Sequence, residues 1–244
     1  MNTIGVIPAR YGSSRLPGKP LKDILGKPMI QHVYEQAKKA KYLDEVIVAT
    51  DDDRIVKAVM NFGGKAVLTS KDHPTGSDRI AEVAKNYDCR YVINIQGDEP
   101  LIMPEIIDEI ADAVINGENV VMATGCYKIR EEYYHNPNVV KVVFDKDNYA
   151  MLFSRSLIPY PRKAEGMAAY EHIGIYAYTK EFLLKYITLP DTPLSQIESL
   201  EQLKAMENGY RIKIVPTKFN YDALSVDTQE DLDEVIAIMK RRGA

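Results

Sequence analysis

Three stretches of this chain gather the side chains that handle phosphate and hard cations. The first, Pro8-Ala9-Arg10-Tyr11-Gly12-Ser13-Ser14-Arg15-Leu16-Pro17-Gly18-Lys19-Pro20, brings glycines, serine hydroxyls and three basic side chains together directly after an apolar run. A loop of that make-up can wrap an anion, because backbone N–H groups and hydroxyls donate to phosphate oxygens while Arg and Lys offset the charge. It has neither the G-x-x-x-x-G-K-[ST] of a P-loop nor the G-x-G-x-x-G of a dinucleotide site. The plainer reading is a solvated basic surface loop. The second stretch, Gln96-Gly97-Asp98-Glu99-Pro100, and the third, Ser225-Val226-Asp227-Thr228, each put an aspartate between an apolar run and a helical pattern. Two readings of Asp98 stand side by side: a carboxylate ligand for Mg²⁺, or a turn residue capping the helix that starts near Pro104.

These stretches need elements to position them, and hydrophobic periodicity supplies the elements. Short β-rich runs at Thr3 to Ala9, Glu45 to Thr50, Ala66 to Thr69 and Tyr91 to Ile95 alternate with helical patterns near 29 to 40, 52 to 61, 77 to 87 and 104 to 116. Strand and helix in that alternation predict an α/β fold, a mostly parallel doubly wound sheet. Ligands of such sheets gather beyond the carboxyl ends of the strands, which is where all three stretches fall.

After about residue 125 the pattern changes. Val139 to Phe144, Ala150 to Ser154 and Ile173 to Tyr178 follow one another as β-rich runs, which predicts a smaller β-rich lobe. Within it, His172-Ile173-Gly174-Ile175-Tyr176 places His172 and Tyr176 on one face of a strand. A hydrogen-bonded structural histidine is the plainer reading of His172. His32, His73 and His135 show no zinc spacing. Ser195-Gln196-Ile197-Glu198 reads as a capping box opening a helix to about Asn208, with Gly209 as its C-cap, and Thr228 opens the last helix. The chain is read as one domain: an α/β part, about 1–125 with 210–244, and a lobe of about 126–209.

The 244 residues carry a formal net charge of −4, 45% hydrophobic and 27% charged residues, values of a folded globular protein rather than a disordered one. The charge is uneven: residues 1 to 30 hold Arg10, Arg15, Lys19, Lys22 and Lys27 against Asp23 alone. A basic cluster in an acidic chain points to a small anionic ligand and away from nucleic acid. Apolar runs are far too short to span a bilayer, and the N-terminus reads as a first strand rather than a signal peptide. Cys89 and Cys126 have no partners at metal spacing, which suits reduced thiols in the cytoplasm.

Taken together, these segments resemble the 3-deoxy-D-manno-octulosonate (Kdo) cytidylyltransferases, the CMP-Kdo synthetases. The resemblance runs from Ile7 to Pro20 through Ala49-Thr50-Asp51-Asp52, Thr75-Gly76-Ser77-Asp78-Arg79, Gln96 to Pro100, Phe153 to Pro159, His172 to Tyr176, Glu198-Ser199-Leu200-Glu201-Gln202-Leu203 and Val226-Asp227-Thr228. It implies a Rossmann-like nucleotide-diphospho-sugar transferase fold and the reaction of CTP with Kdo to give CMP-Kdo and pyrophosphate. By it, Arg10, Arg15 and Lys19 hold the triphosphate, with Pro8, Ala9, Gly12 and Ser13 beside the nucleotide. Gly76, Ser77, Arg79 and Gln96 help read cytosine and ribose, and Asp98 and Asp227 hold Mg²⁺. Gln96, Arg155, Arg162, His172, Tyr176, Glu201 and Gln202 line the sugar pocket. The resemblance further implies a homodimer joined through the lobe and a product for lipopolysaccharide, capsule or another glycan, while the like charges of the two reactants, set against paired carboxylates and a basic loop, point on their own to metal-assisted direct displacement.

The chain departs from the family pattern at Glu171, where Lys or Arg is more usual, and at Asp222-Ala223-Leu224-Ser225, where a glycine turn is commoner. Glu171 is either an outward-facing change or the mark of a modified acceptor such as 8-amino-Kdo. The same segments also suit a cytidylyltransferase acting on a nonulosonic acid, and a non-catalytic nucleotide-binding protein. A nicotinamide oxidoreductase is excluded by the missing dinucleotide fingerprint.

Overall fold

The computed structural model describes residues 2–12, 15–163, 165–221 and 224–243. Along the chain run β1 (Thr3–Ala9), the short pair β2 (Asp23–Ile24) and β3 (Lys27–Pro28), α1 (Met29–Ala37), β4 (Glu45–Thr50), α2 (Asp53–Asn61), β5 (Ala66–Leu68), α3 (Gly76–Lys85), β6 (Tyr91–Asn94) and α4 (Pro104–Ile115). Then come β7 (Met122–Lys128), β8 (Lys141–Phe144), β9 (Ala150–Ser154), β10 (Tyr170–Thr179), α5 (Lys180–Tyr186), α6 (Pro193–Glu198), α7 (Leu203–Glu207), β11 (Lys213–Pro216) and α8 (Gln229–Arg242). Two compact units result: Met1–Asp108 with Asp222–Ala244, and Glu109–Tyr221.

In the first unit β1 is the central strand because its sequence is apolar on both faces. Ile4, Val6 and Ile7 are fully buried, and such continuous runs suit a parallel strand covered on both sides. It pairs in parallel with β4 (Ile4 opposite Glu45 through Ala9 opposite Thr50) and with β6 (Thr3 opposite Tyr91 through Val6 opposite Asn94), and β5 adds to β4. All four strands therefore deliver their carboxyl ends in one direction. The helices that follow are capped by their own sequence. Thr75 and Asp78 form a reciprocal capping box on α3, as do Thr228 and Asp231 on α8, and Asp52 accepts the Arg54 N–H at 2.9 Å on α2. Each such cap contributes about 1 kcal/mol. Leu232, Val235 and Met239 of α8 pack with Val226, Met29, Ile24 and Leu16, fixing the chain on either side of Asp227 and the first loop.

In the second unit β7 takes β11 in parallel on one side and β10 antiparallel on the other, while β8 pairs with β10 and β9. This pairing draws β7 and β11 into the second unit, so its limits are wider than the 126–209 expected from composition. The expected single helix from Ser195 to Asn208 is two helices. Thr192, not Ser195, is the cap of α6, since Pro193 suits its first turn and Ser195 serves as the third-position partner of the box. Ser199 then takes a left-handed conformation (φ 51°) that ends α6 before α7 begins, and Gly209 follows α7 at φ 84°. α5 and the β2–β3 hairpin are further elements that periodicity did not reveal. No described helix is long and apolar enough to cross a membrane. Cys89 and Cys126 are both buried and neither is in a disulfide, and burial pushes the Cys126 thiol up to about 12.

Candidate active site

The first unit holds a cleft of about 340 Å³ at the carboxyl ends of β1 and β6, lined by Pro8, Ala9, Arg10, Gly12, Arg15, Lys19, Pro20, Gln96, Gly97, Asp98 and Asp227. The three stretches singled out in the sequence thus share one cavity. Lys19 stands at its centre, opening a single 3₁₀ turn behind Gly18, whose φ of 68° favours glycine. The Lys19 Nζ donates to Asp98 Oδ2 at 2.7 Å and to Asp227 Oδ1 at 3.1 Å, and Arg15 donates to Asp227 Oδ2 at 2.8 Å. Burial works against the Lys19 charge, but the Asp98 carboxylate, with Asp227, outweighs it and holds the ammonium above its ordinary pKa.

The loop is pinned at Arg10, Tyr11 and Gly18. Arg10 donates to the His73 carbonyl at 2.7 Å, and the Gly18 N–H closes on the Tyr11 carbonyl at 3.0 Å. Arg54, bound through two nitrogens to the Asp52 carboxylate, lies 3.3 Å over the Tyr11 ring centre. Behind the loop a Cβ on Gly97 would stand 2.7 Å from the Pro8 carbonyl oxygen, so only glycine lets these two backbones approach. The Val226 N–H donates to the Asp98 carbonyl at 2.9 Å.

Among the described residues no three His, Cys, Asp or Glu side chains gather into a metal cage. Two carboxylates converging on one cationic nitrogen are nonetheless a donor set that fits Mg²⁺, which takes one or two carboxylates and completes its shell with water and substrate phosphate. Asp98 does not cap α4 in this structure; it points its carboxylate at Lys19.

Gly76 and Ser77 open α3, and a Cβ on Gly76 would lie 3.6 Å from Pro8, so this turn borders the loop. Arg79 differs from expectation. It is fully buried, its guanidinium bonded to the Asp51 carboxylate at 2.7 Å and to the Thr69 hydroxyl, so it ties α3 to the ends of β4 and β5 and does not reach the cleft. Ser13 and the Asp222–Ala223 part of the variant turn lie outside the described residues.

The second unit builds a different cluster. The His172 ring lies 5.1 Å from Phe153 and 5.3 Å from Tyr176, so the expected pair does share a face, although β10 bulges between Ile173 and Tyr176. Thr124 faces the bulge. Its hydroxyl has a single proton, directed to the Ile173 and Ile175 carbonyls at 2.7 Å each, which leaves its oxygen to accept from His172 Nε2 at 3.1 Å. Proton counting therefore assigns Nε2–H to His172. Burial pushes this imidazole down to about 3, so it is neutral at pH 7. Burial also raises the Tyr176 phenol, with the Glu201 charge adding to it. Gln202 is 4% exposed and its Nε2 has no partner among the described residues. Tyr186 donates its hydroxyl to the Glu201 carbonyl at 2.8 Å, and Arg162 is exposed.

Two residues of this unit behave unexpectedly. Arg155 spends its guanidinium on backbone carbonyls. Glu171 accepts the Tyr127 hydroxyl and stands opposite buried Lys141 of β8 in the strand register, while alternation along β10 sets it on the other face from His172. Thr124 and Glu198 escaped the sequence reading. Thr124 sits in an ordinary strand, and Glu198 was absorbed into a helix pattern.

A cleft of cations and paired aspartates at the ends of parallel strands is the equipment of a nucleotidyltransferase. A family model described as cytidylyltransferase matches residues 4–214. A 3-deoxy-manno-octulosonate cytidylyltransferase of Fusobacterium nucleatum is 51% identical over 244 residues, covering 98% of each chain. A solved CMP:2-keto-3-deoxy-manno-octonic acid synthetase complexed with CTP is 45% identical, covers 99% of this chain and 100% of its own, and superposes with a TM-score of 0.95. A cytidylyltransferase of Leptospira borgpetersenii, 19% identical over all of this chain and 95% of its own, shares the fold at a TM-score of 0.65. The fold is thus a mostly parallel sheet with flanking helices, of the nucleotide-diphospho-sugar transferase type. The chain belongs to the 3-deoxy-manno-octulosonate cytidylyltransferase family.

Proposed function

We propose that this enzyme transfers CMP from CTP to the anomeric hydroxyl of Kdo and releases pyrophosphate. The observation that carries the reading is the convergence of Asp98 and Asp227 on a single ammonium nitrogen, in a cleft whose remaining charges are Arg10 and Arg15. The reaction brings an anionic sugar to a highly charged nucleotide, so its first requirement is screening. Arg10, Arg15 and Lys19 bind triphosphate oxygens and stabilise the leaving pyrophosphate, with Pro8, Ala9 and Gly12 offering backbone against the nucleotide. Gly76, Ser77 and Gln96 border the base and ribose. Asp98 and Asp227 would hold Mg²⁺, which when bound supplies Lewis acidity to the phosphoryl oxygens and to the attacking hydroxyl. Among the described residues lining the cleft there is no Ser, Thr, Cys or His, and direct displacement needs no covalent nucleophile.

In the second unit, neutral His172, Tyr176, Glu201 and the unpartnered amide of Gln202 suit sugar hydroxyls, and exposed Arg162 suits the sugar carboxylate. Unmodified Kdo is favoured over an amino sugar because the Glu171 carboxylate already accepts the Tyr127 hydroxyl. Met151, Tyr160, Leu194 and Ile197 are large apolar side chains exposed on this unit, which supports a homodimer joined there. Its reduced, buried thiols support a cytoplasmic setting.

Pyrophosphate release with CTP and Mg²⁺ tests the function, with Kdo, 8-amino-Kdo and N-acetylneuraminate offered in parallel. Turnover is expected with Kdo, and is expected to vanish on removal of divalent metal. Preference for either other sugar overturns the acceptor assignment, and silence with all three overturns the activity. Sedimentation velocity checks the dimer, which a monomer at micromolar concentration contradicts.

A further inference from the structure

We infer that Arg155 and Glu198 form a clasp that positions the Glu201–Gln202 turn for the sugar, with Arg155 acting through the backbone and not as a ligand. The inference rests on the reading of this cluster as the sugar pocket and adds Glu198 to it.

The Arg155 guanidinium makes its hydrogen bonds to main chain. Nε donates to the Glu198 carbonyl at 2.7 Å, one terminal nitrogen to the Ser199 carbonyl at 3.4 Å and the other to the Pro137 carbonyl at 3.0 Å. Glu198 answers with its side chain. One carboxylate oxygen accepts the Arg155 N–H at 3.0 Å and the other accepts the Ser154 hydroxyl at 2.7 Å, so the end of β9 and the end of α6 are bonded in both directions. The Arg155 N–H, with Ser154 and the Arg155 charge, holds the Glu198 carboxyl below its ordinary pKa.

The place of this clasp gives it a use. The bonded carbonyls of Glu198 and Ser199 end α6, and Ser199 turns left-handed there without being glycine. A C-terminal carbonyl that loses its helical partner needs another donor, and Arg155 provides one on each. Three residues further on, the Glu201 carbonyl is held from the other side by Tyr186. The turn that carries Glu201 and Gln202 is thus fixed at both ends. The β9 residue preceding Ser154 is Phe153, whose ring packs against His172. One strand end therefore sets both the histidine and the acidic turn. Lys141, bonded to the Arg155 carbonyl at 3.0 Å and the Asn136 carbonyl at 2.6 Å, holds Arg155 itself.

The test is a double-mutant cycle on the full-length enzyme with Mg²⁺, CTP and Kdo, using Arg155→Ala, Glu198→Ala and the pair. The KM for Kdo is expected to rise about tenfold in each single variant, and the double variant is expected to be no worse than the poorer single one. The KM for CTP stays at the wild-type value. Arg155→Lys fails to restore the KM, because an ammonium cannot fork to three carbonyls. Ser154→Ala, which removes one bond and is the mildest change, gives a smaller rise in the same parameter and covers the case in which the others fail to fold. Hydrogen exchange over residues 199–203 reads the clasp without any substrate, and faster exchange is expected in each variant. A raised KM in Arg155→Ala with normal KM and normal exchange in Glu198→Ala makes Arg155 a direct ligand and overturns the inference. So does unchanged exchange in both variants. If wild-type enzyme does not turn over Kdo while exchange still quickens in the variants, the acceptor reading fails and the clasp stands.

Discussion

The two units solve recognition with opposite means. In the first, four of the five charged side chains that line the cleft are bonded to one another, Lys19 to both aspartates and Arg15 to Asp227, while Arg10 donates to a carbonyl. In the second, the His172 imidazole is neutral and the Arg155 guanidinium is bonded to backbone carbonyls. The difference follows from the proposed substrates. A triphosphate is recognised by charge, and charge is best offered by side chains that can exchange one partner for another. A sugar is recognised by the directions of its hydroxyls, and those demand fixed, neutral donors and acceptors whose cost of ordering has already been met in folding.

The contrast can be broken by substitution. Asp98→Asn keeps shape and removes charge; kcat is expected to fall about 10³-fold by pyrophosphate release, and an activity near wild type would remove the metal role of the first unit. Lys19→Met is expected to lower kcat/KM for CTP about 10²-fold while the KM for Kdo stays put. His172→Phe, which fills the same space without the Nε2–H, is expected to do the reverse: about tenfold in the KM for Kdo and none in that for CTP. Equal effects on both substrates in the last two variants would erase the division of labour. The smallest effect is on pH. The native imidazole of His172 stays neutral down to about 3, whereas the unfolded chain takes up its proton near 6.5. Stability from this group is therefore complete above pH 6.5 and is lost as pH falls toward 3. Chemical denaturation at about pH 7 and about pH 5 is expected to show a lower midpoint in the acid, and the lowering is expected to be absent in His172→Phe. Ring NMR signals of His172 that titrate between about pH 8 and 5 would contradict the assignment.

The parallel strands and the phosphate loop were legible because their signals are local. β1, β4 and β9 begin and end where their apolar runs do. Asp98 follows β6 as its strand-end pattern predicts, whereas the apolar run before Asp227 is no strand: β11 ends at Pro216, and Asp227 stands just ahead of the Thr228 cap of α8. What stayed hidden depends on partners distant in sequence. Arg79 reads as one more cation near a ligand, and only the Asp51 and Thr69 groups around it show that it belongs to the core. The break at Ser199 is invisible because Ser-Leu-Glu-Gln is a tolerable helical run. The carbonyls there are claimed by Arg155, which helix propensity does not register. At Glu171 alternation allows an outward-facing side chain, but the residue is half-buried and its carboxylate accepts the Tyr127 hydroxyl of another strand, a partner that alternation does not register.

The close approach of Gly97 to Pro8 has a mechanical consequence. Two backbones in contact, with no side chain between them to act as a cushion, cannot slide independently. The Val226 N–H on the Asp98 carbonyl couples a third segment to the same point. In the proposed nucleotide complex, a push on the loop that carries Arg10 and Arg15 would pass through main chain to Asp98 and, by way of Val226, to the neighbour of Asp227. Under the proposed roles, seating the phosphates and setting the spacing of the aspartates would be one displacement.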